Sequence, residues 1–116
     1  MFKLIRDNIP EMMREEGKAL DFAVAQNDEF FQNLLKGKLI EEMQEYLNSG
    51  DSIEELVDIQ TVLNCLIGDR KDHFDQVYAE KLEQHGSFEK RYIGFFPDPP
   101  RREPTNANAQ TRVEKN

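Results

Sequence analysis

Apolar side chains recur through the first two thirds of the chain at three- and four-residue spacing, and polar signals between them mark helix ends. Asn8 followed by Ile9-Pro10-Glu11 predicts a helix start with proline in its first turn, and Gly17 predicts the stop. Residues 19–26 lack a helical period and are expected to form an extended connection. Asn27 ahead of Asp28 and Glu29 predicts a second N-cap, for a helix running to about Asn48. Ser49-Gly50-Asp51 predicts a turn. Ser52 with Glu55 matches a capping box, so a third helix is expected to about Ile67. Gly68-Asp69 breaks it, and a fourth helix is expected from about Asp72 to Gln84, ending at Gly86. The expected fold class is all-α, a bundle of about four helices around two central antiparallel ones. Phe30, Phe31, Leu34, Leu35, Ile40, Met43, Leu47, Leu56, Ile59, Leu63 and Leu66 spread apolar surface around both of those helices. One short chain has too few partners to cover it, so completion by oligomerisation is expected, as a homodimer or a dimer of dimers.

Composition sets the limits of this picture. A chain of 116 residues suits one domain. Its end differs from the rest: residues 97–116 hold four prolines, no aromatic residue and only Val113 as a bulky apolar side chain. They are expected to be a disordered tail behind a domain of residues 1–96. The net charge of −8 disfavours nucleic-acid polymers and anionic membranes, and suits a protein that holds cations. The longest uncharged stretch inside the expected domain, Ile59 to Gly68, is ten residues, against about 20 for a membrane span. Arg6, Asp7 and Glu11 interrupt the N-terminus before a signal peptide could form. The single cysteine, Cys65, excludes an intrachain disulfide and a cysteine zinc site, and is expected to be a small buried residue. A cytoplasmic setting is expected. His73 sits in a charged stretch and is expected to be exposed.

The acids are not spread evenly. From Leu39 to Asp69 there is no Lys, Arg or His, yet eight Asp and Glu residues lie there. Such a run repels itself unless positive charge sits nearby. At about 100° per residue, Glu41, Glu42 and Glu45 share an arc of the second helix with Phe31, Leu34, Leu35 and Lys38. On the third helix Glu55 and Asp58 share an arc with Ile59, Val62 and Leu66, while Glu54 lies beside Thr61 and can face water. Two i, i+3 carboxylate pairs, Glu42/Glu45 and Glu55/Asp58, are thus expected on faces that pack. Carboxylates drawn into an interface are costly unless paired or metal-bound. Lys38 can pair with one or two of them, and four need more. Hard oxygen ligands on facing helices suit Mg²⁺ or Mn²⁺, so Glu42, Glu45, Glu55 and Asp58 are the expected metal ligands. Glu55 can alternatively serve only as the capping-box partner of Ser52.

These motifs resemble a known family. Glu42-x-x-Glu45 followed by Glu55-x-x-Asp58 resembles the ExxE…ExxD signature of the all-α MazG-like nucleotide pyrophosphohydrolases. Lys3-Leu4-Ile5-Arg6-Asp7-Asn8-Ile9-Pro10-Glu11 looks like the KLVRDKIPE opening of the small phosphoribosyl-ATP pyrophosphohydrolase-like branch. Lys81-Leu82-Glu83-Gln84-His85-Gly86-Ser87-Phe88-Glu89-Lys90-Arg91 is similar to that branch's closing K…ERGGFEKR segment. The resemblance covers residues 3–93. Asn8, His85 and Ser87 depart from it, standing where the branch usually has Lys, Arg and a second Gly.

What the resemblance implies is a MazG-like bundle and Mg²⁺-dependent hydrolysis of a nucleoside triphosphate between the α and β phosphates. The products are the monophosphate and pyrophosphate, and the usual role is clearing unwanted nucleotides. One or two ions on the acid quartet would neutralise phosphate charge and acidify an attacking water. Glu41, with Glu42 beside it, is the expected catalytic pair that orients this water or takes its proton. Arg6, Lys38, Lys81, His85 and Arg91 are expected to contact phosphates, Arg91 through its bidentate fork. Phe88 either stacks on a base or anchors the core. Phosphoribosyl-ATP is the rival substrate, and a catalytically silent helical interaction module the rival of another class.

Overall fold

The computed structural model describes residues 2–98, so 99–116, most of the expected tail, lie outside the described residues. Every regular element among the described residues is helical. The chain divides into two compact units, Met1–Tyr78 and Ala79–Asn116. No helix among the described residues is long and apolar enough to cross a membrane.

Local chemistry accounts for the helix ends. Helix α1, Ile9–Glu15, carries proline in its first turn, where the missing N–H has no helical partner to lose. Asn8 precedes it without a side-chain capping bond. Helix α2, Asp28–Ser49, is capped by Asn27, whose side-chain oxygen accepts from the Phe30 amide at 2.9 Å. Gly50 then reverses the chain at φ 78°, a left-handed conformation that costs glycine little. Helix α3, Ile53–Ile67, begins where the Ser52 hydroxyl accepts from the Glu55 amide at 3.4 Å. A 3₁₀ turn, Gly68–Arg70, leads directly into helix α4, Lys71–His85. The expected break after α3 is therefore a tightened turn. It is sustained by the Arg70 guanidinium, which donates to the Leu66 and Ile67 carbonyls left open at the helix end.

The broad helix–helix contact among the described residues is α2 on α3. Its centre is Leu35 and Val62, both buried, flanked by half-buried Phe31, Leu34, Leu39, Ile59 and Leu66. These are the arcs that the helical period assigns to packing. Around them, large apolar side chains stand exposed, among them Ile40, Met43 and Leu47 on α2 and Ile53, Leu56 and Leu63 on α3. Cys65 corrects an expectation, since it is exposed rather than buried. It lies on the flank of the α3 packing arc, where this hairpin has nothing to set against it.

Candidate metal centre

The α2–α3 hairpin brings three of the four expected ligands together. Glu42 and Glu45 from α2 and Glu55 from α3 each offer a carboxylate oxygen, and these oxygens lie within 4.8 Å of one another. Helical spacing explains this, because positions three apart on α2 look the same way and meet Glu55 across the packed face. Glu42 is buried, Glu55 half-buried and Glu45 exposed, so the cluster reaches the surface through Glu45. Glu42 is the buried charged residue of the described chain, at 5% exposure. Oε1 of Glu42 and Oε1 of Glu55 are both buried without a hydrogen-bond partner. Such acceptors are costly to leave unsatisfied. The Ser52 cap uses the Glu55 amide, which leaves the Glu55 carboxylate to the cluster.

The charges respond to this crowding. Burial pushes the Glu55 carboxyl above its ordinary value, and the charge of Glu45 and the neighbouring Glu42 carboxyl add to the shift. Glu41 behaves in the opposite way. A hydrogen bond from Lys3 holds its carboxyl below the ordinary value against the opposing effect of burial, and the Lys38 charge assists. Lys3 is correspondingly raised, first by its hydrogen bond to Glu41.

Three cations line the acids. Lys38 Nζ, on a largely buried side chain, lies 3.4 Å from Glu41 Oε1 and 3.2 Å from Glu42 Oε2. Lys3 Nζ reaches Glu41 Oε2 at 3.0 Å. Arg6 Nη2 donates to Asp58 Oδ1 at 2.5 Å and to Thr61 Oγ1 at 3.3 Å. Asp58, the fourth expected ligand, is therefore held by Arg6 and stands outside the three-oxygen cluster. The irregular segment at residues 3–6 thus meets α2 through Lys3 and α3 through Arg6. Its three peptide steps span at most about 10 Å, close to the ordinary distance between two packed helix axes. Phe2 adds an edge-on ring contact with Phe30 at 6.0 Å between centroids.

Lys3 and Thr61 were not among the candidates that the sequence offers for this site. The signal for Lys3 is the 31-residue run without cations, which requires counter-charge from elsewhere in the chain, while nothing in the sequence points to Thr61. The remaining expected contacts, Lys81, His85, Phe88 and Arg91, belong to the second unit. Lys81 and His85 are exposed on α4, and Phe88 is 94% exposed. The Arg91 amide donates to the Phe88 carbonyl at 3.1 Å, closing a turn in which Arg91 adopts φ 64°. His73 is exposed, as its charged neighbours suggest.

Comparison of the chain with protein families, with curated proteins and with solved structures found no match. The donor set itself is selective. Three carboxylates with two orphaned oxygens, and no histidine or cysteine among them, fit a hard divalent cation such as Mg²⁺ or Mn²⁺.

Proposed function

We propose that this chain is a Mg²⁺-dependent nucleoside triphosphate pyrophosphohydrolase of the MazG-like type, cleaving between the α and β phosphates. The observation that carries the reading is the Glu42–Glu45–Glu55 cluster, in which two buried carboxylate oxygens lack any donor. The motif resemblance supplies the reaction class, and Mn²⁺ fits the same oxygens.

Glu42, Glu45 and Glu55 would hold the ion. When bound, it supplies neutralising charge to the phosphates and a more acidic water. Glu41 is kept ionised by Lys3 and Lys38, which makes it a standing acceptor that orients a water through a hydrogen bond. Taking the proton outright requires that one of those lysines let go, since a depressed pKa weakens a base. Lys38 sits where it can neutralise Glu42 or an incoming phosphate oxygen, and Arg6 offers a planar fork suited to the same anion. Lys81, His85 and Arg91 remain the proposed further phosphate contacts, and Phe88 the proposed base-stacking group. The exposed apolar faces of α2 and α3 support a four-helix bundle completed by a second copy of the chain. A cytoplasmic nucleotide-clearing role follows from the same reading.

One observation favours a second reading. Arg6, Lys3 and Lys38 already neutralise Asp58, Glu41 and part of Glu42, as a silent helical interaction module would require. Incubation of purified protein with a nucleotide panel and Mg²⁺ separates the two. Pyrophosphate release supports the hydrolase, orthophosphate alone points to stepwise phosphatase chemistry, and no turnover of any nucleotide favours the silent module.

A further inference from the structure

Asp58 follows Glu55 by one turn of α3 and faces the same way, yet it is the acid that the three-oxygen cluster lacks. Its partner is Arg6, delivered by a segment 52 residues away in the chain. We propose that Arg6 is a displaceable internal counterion, which holds Asp58 while the cluster carries no divalent cation and surrenders it to the cluster when one binds. This rests on the metal reading of Glu42, Glu45 and Glu55.

Four features make the exchange workable. The pair is solvent-screened, with the Arg6 side chain 53% exposed and the Asp58 side chain 35%, so breaking it is inexpensive. Arg6 keeps a second acceptor at 3.3 Å, the Thr61 hydroxyl, which donates its own proton to the Val57 carbonyl and leaves its lone pairs free. The Arg6 carbonyl accepts from the Ile9 amide, and Lys3 ties the segment to Glu41, so only the Arg6 side chain has to move. A doubly charged ion offers Asp58 a stronger counter-charge than one guanidinium does. The consequence is an order of events. Arg6 becomes available to an anionic phosphate only after the ion is in place, so a polyphosphate meets its full set of cations only on a loaded site.

The test uses the full chain and Mn²⁺ alone, with free Mn²⁺ counted by electron paramagnetic resonance. Parent, Arg6→Gln, Asp58→Asn and the double variant are compared. Arg6→Gln should tighten Mn²⁺ binding about two- to fivefold, the range expected for removing an exposed ionic competitor. Asp58→Asn should weaken binding, and in that background Arg6→Gln should change nothing. A parent that binds Mn²⁺ while Arg6→Gln gains nothing, or gains equally in both backgrounds, overturns the exchange alone, because an equal gain reports only general charge. A parent that binds no Mn²⁺ overturns the metal reading and the exchange with it. Should Arg6→Gln fail to fold, the Arg6 side-chain N–H resonance of the parent decides. A shift on Mg²⁺ addition supports release from Asp58, and an unmoved resonance overturns it.

Discussion

Glu42 and Glu55 meet from α2 and α3, each with one carboxylate oxygen buried and without a hydrogen-bond partner. With both ionised, these two oxygens are acceptors to which nothing donates, since Lys38 reaches only Oε2 of Glu42. The raised Glu55 carboxyl has a definite consequence for stability. A raised acid keeps its proton more readily in the folded state, so folding is penalised as pH rises from the ordinary value near 4.5 through the folded value. Glu55→Gln removes that penalty. In metal-free buffer the variant should melt above the parent at pH 7, and the gap should close below about pH 4. A parent that melts higher than Glu55→Gln at pH 7 without metal would show that the cluster is not strained.

Adding Mg²⁺ should reverse that ranking. An ion that binds only the folded state stabilises by about 2.7 kcal/mol at a hundred times its dissociation constant. The parent should gain this and Glu42→Gln or Glu55→Gln should gain far less, since each loses a charged ligand. Thermal melts with and without Mg²⁺ read the difference, and a parent indifferent to Mg²⁺ would count against the metal centre. Pyrophosphate release in either variant should fall by orders of magnitude.

The Lys3–Glu41 pair predicts a different pH signature. A depressed carboxyl contributes stability above its ordinary value and loses it as pH falls through the folded value. Lys3→Ala should therefore be less stable than the parent at pH 7, by a small margin for so exposed a pair, and equal to it in strong acid. Urea midpoints at pH 7 and pH 2.5 test this. A constant difference at both pH values would mean that Lys3 acts through packing instead of charge.

How legible the site was depends on distance along the chain. The caps at Asn27 and Ser52, and the arcs carrying Glu42, Glu45 and Glu55, are set within a few residues, so composition and helical period reveal them. The pairs Lys3–Glu41 and Arg6–Asp58 join residues 38 and 52 positions apart. No local period encodes such partners. The period puts Asp58 on the right face of α3 but cannot say whether a ligand set or a guanidinium will claim it. It also misjudges Cys65, because apolar character at the edge of an arc does not tell which flank finds a neighbour.

The hairpin contact offers a simpler test. Leu35, 3% exposed, fills the α2–α3 interface one helical turn from Lys38 and two from Glu42. Leu35→Ala removes buried methyl groups and leaves a cavity, at a cost of about 2–5 kcal/mol. That is a large share of the stability of any small domain. The variant should melt far below the parent and need more Mg²⁺ to recover. A change within about 0.5 kcal/mol would mean that the hairpin is not the stabilising core.

The hairpin leaves an apolar surface of α2 uncovered. Ile40, Met43 and Leu47 follow one another at spacings of three and four along α2, and they are 54%, 43% and 77% exposed. That spacing makes a continuous stripe on one side of the helix, distinct from the arc that meets α3. Apolar stripes of this kind mark sites of association, and a second copy can set the same stripe against itself across a two-fold axis. Light scattering of the parent should therefore give a mass of at least two chains. Met43→Glu with Leu47→Glu places like charges across that axis and should yield the single-chain mass with helical content retained. In an isolated chain, Leu47→Ala would change stability by no more than about 0.5 kcal/mol, because the side chain touches little. In a dimer the same substitution should cost more, and the extra cost should shrink as protein is diluted below the dissociation constant. A parent that scatters as one folded chain at micromolar concentration would remove the stripe from consideration.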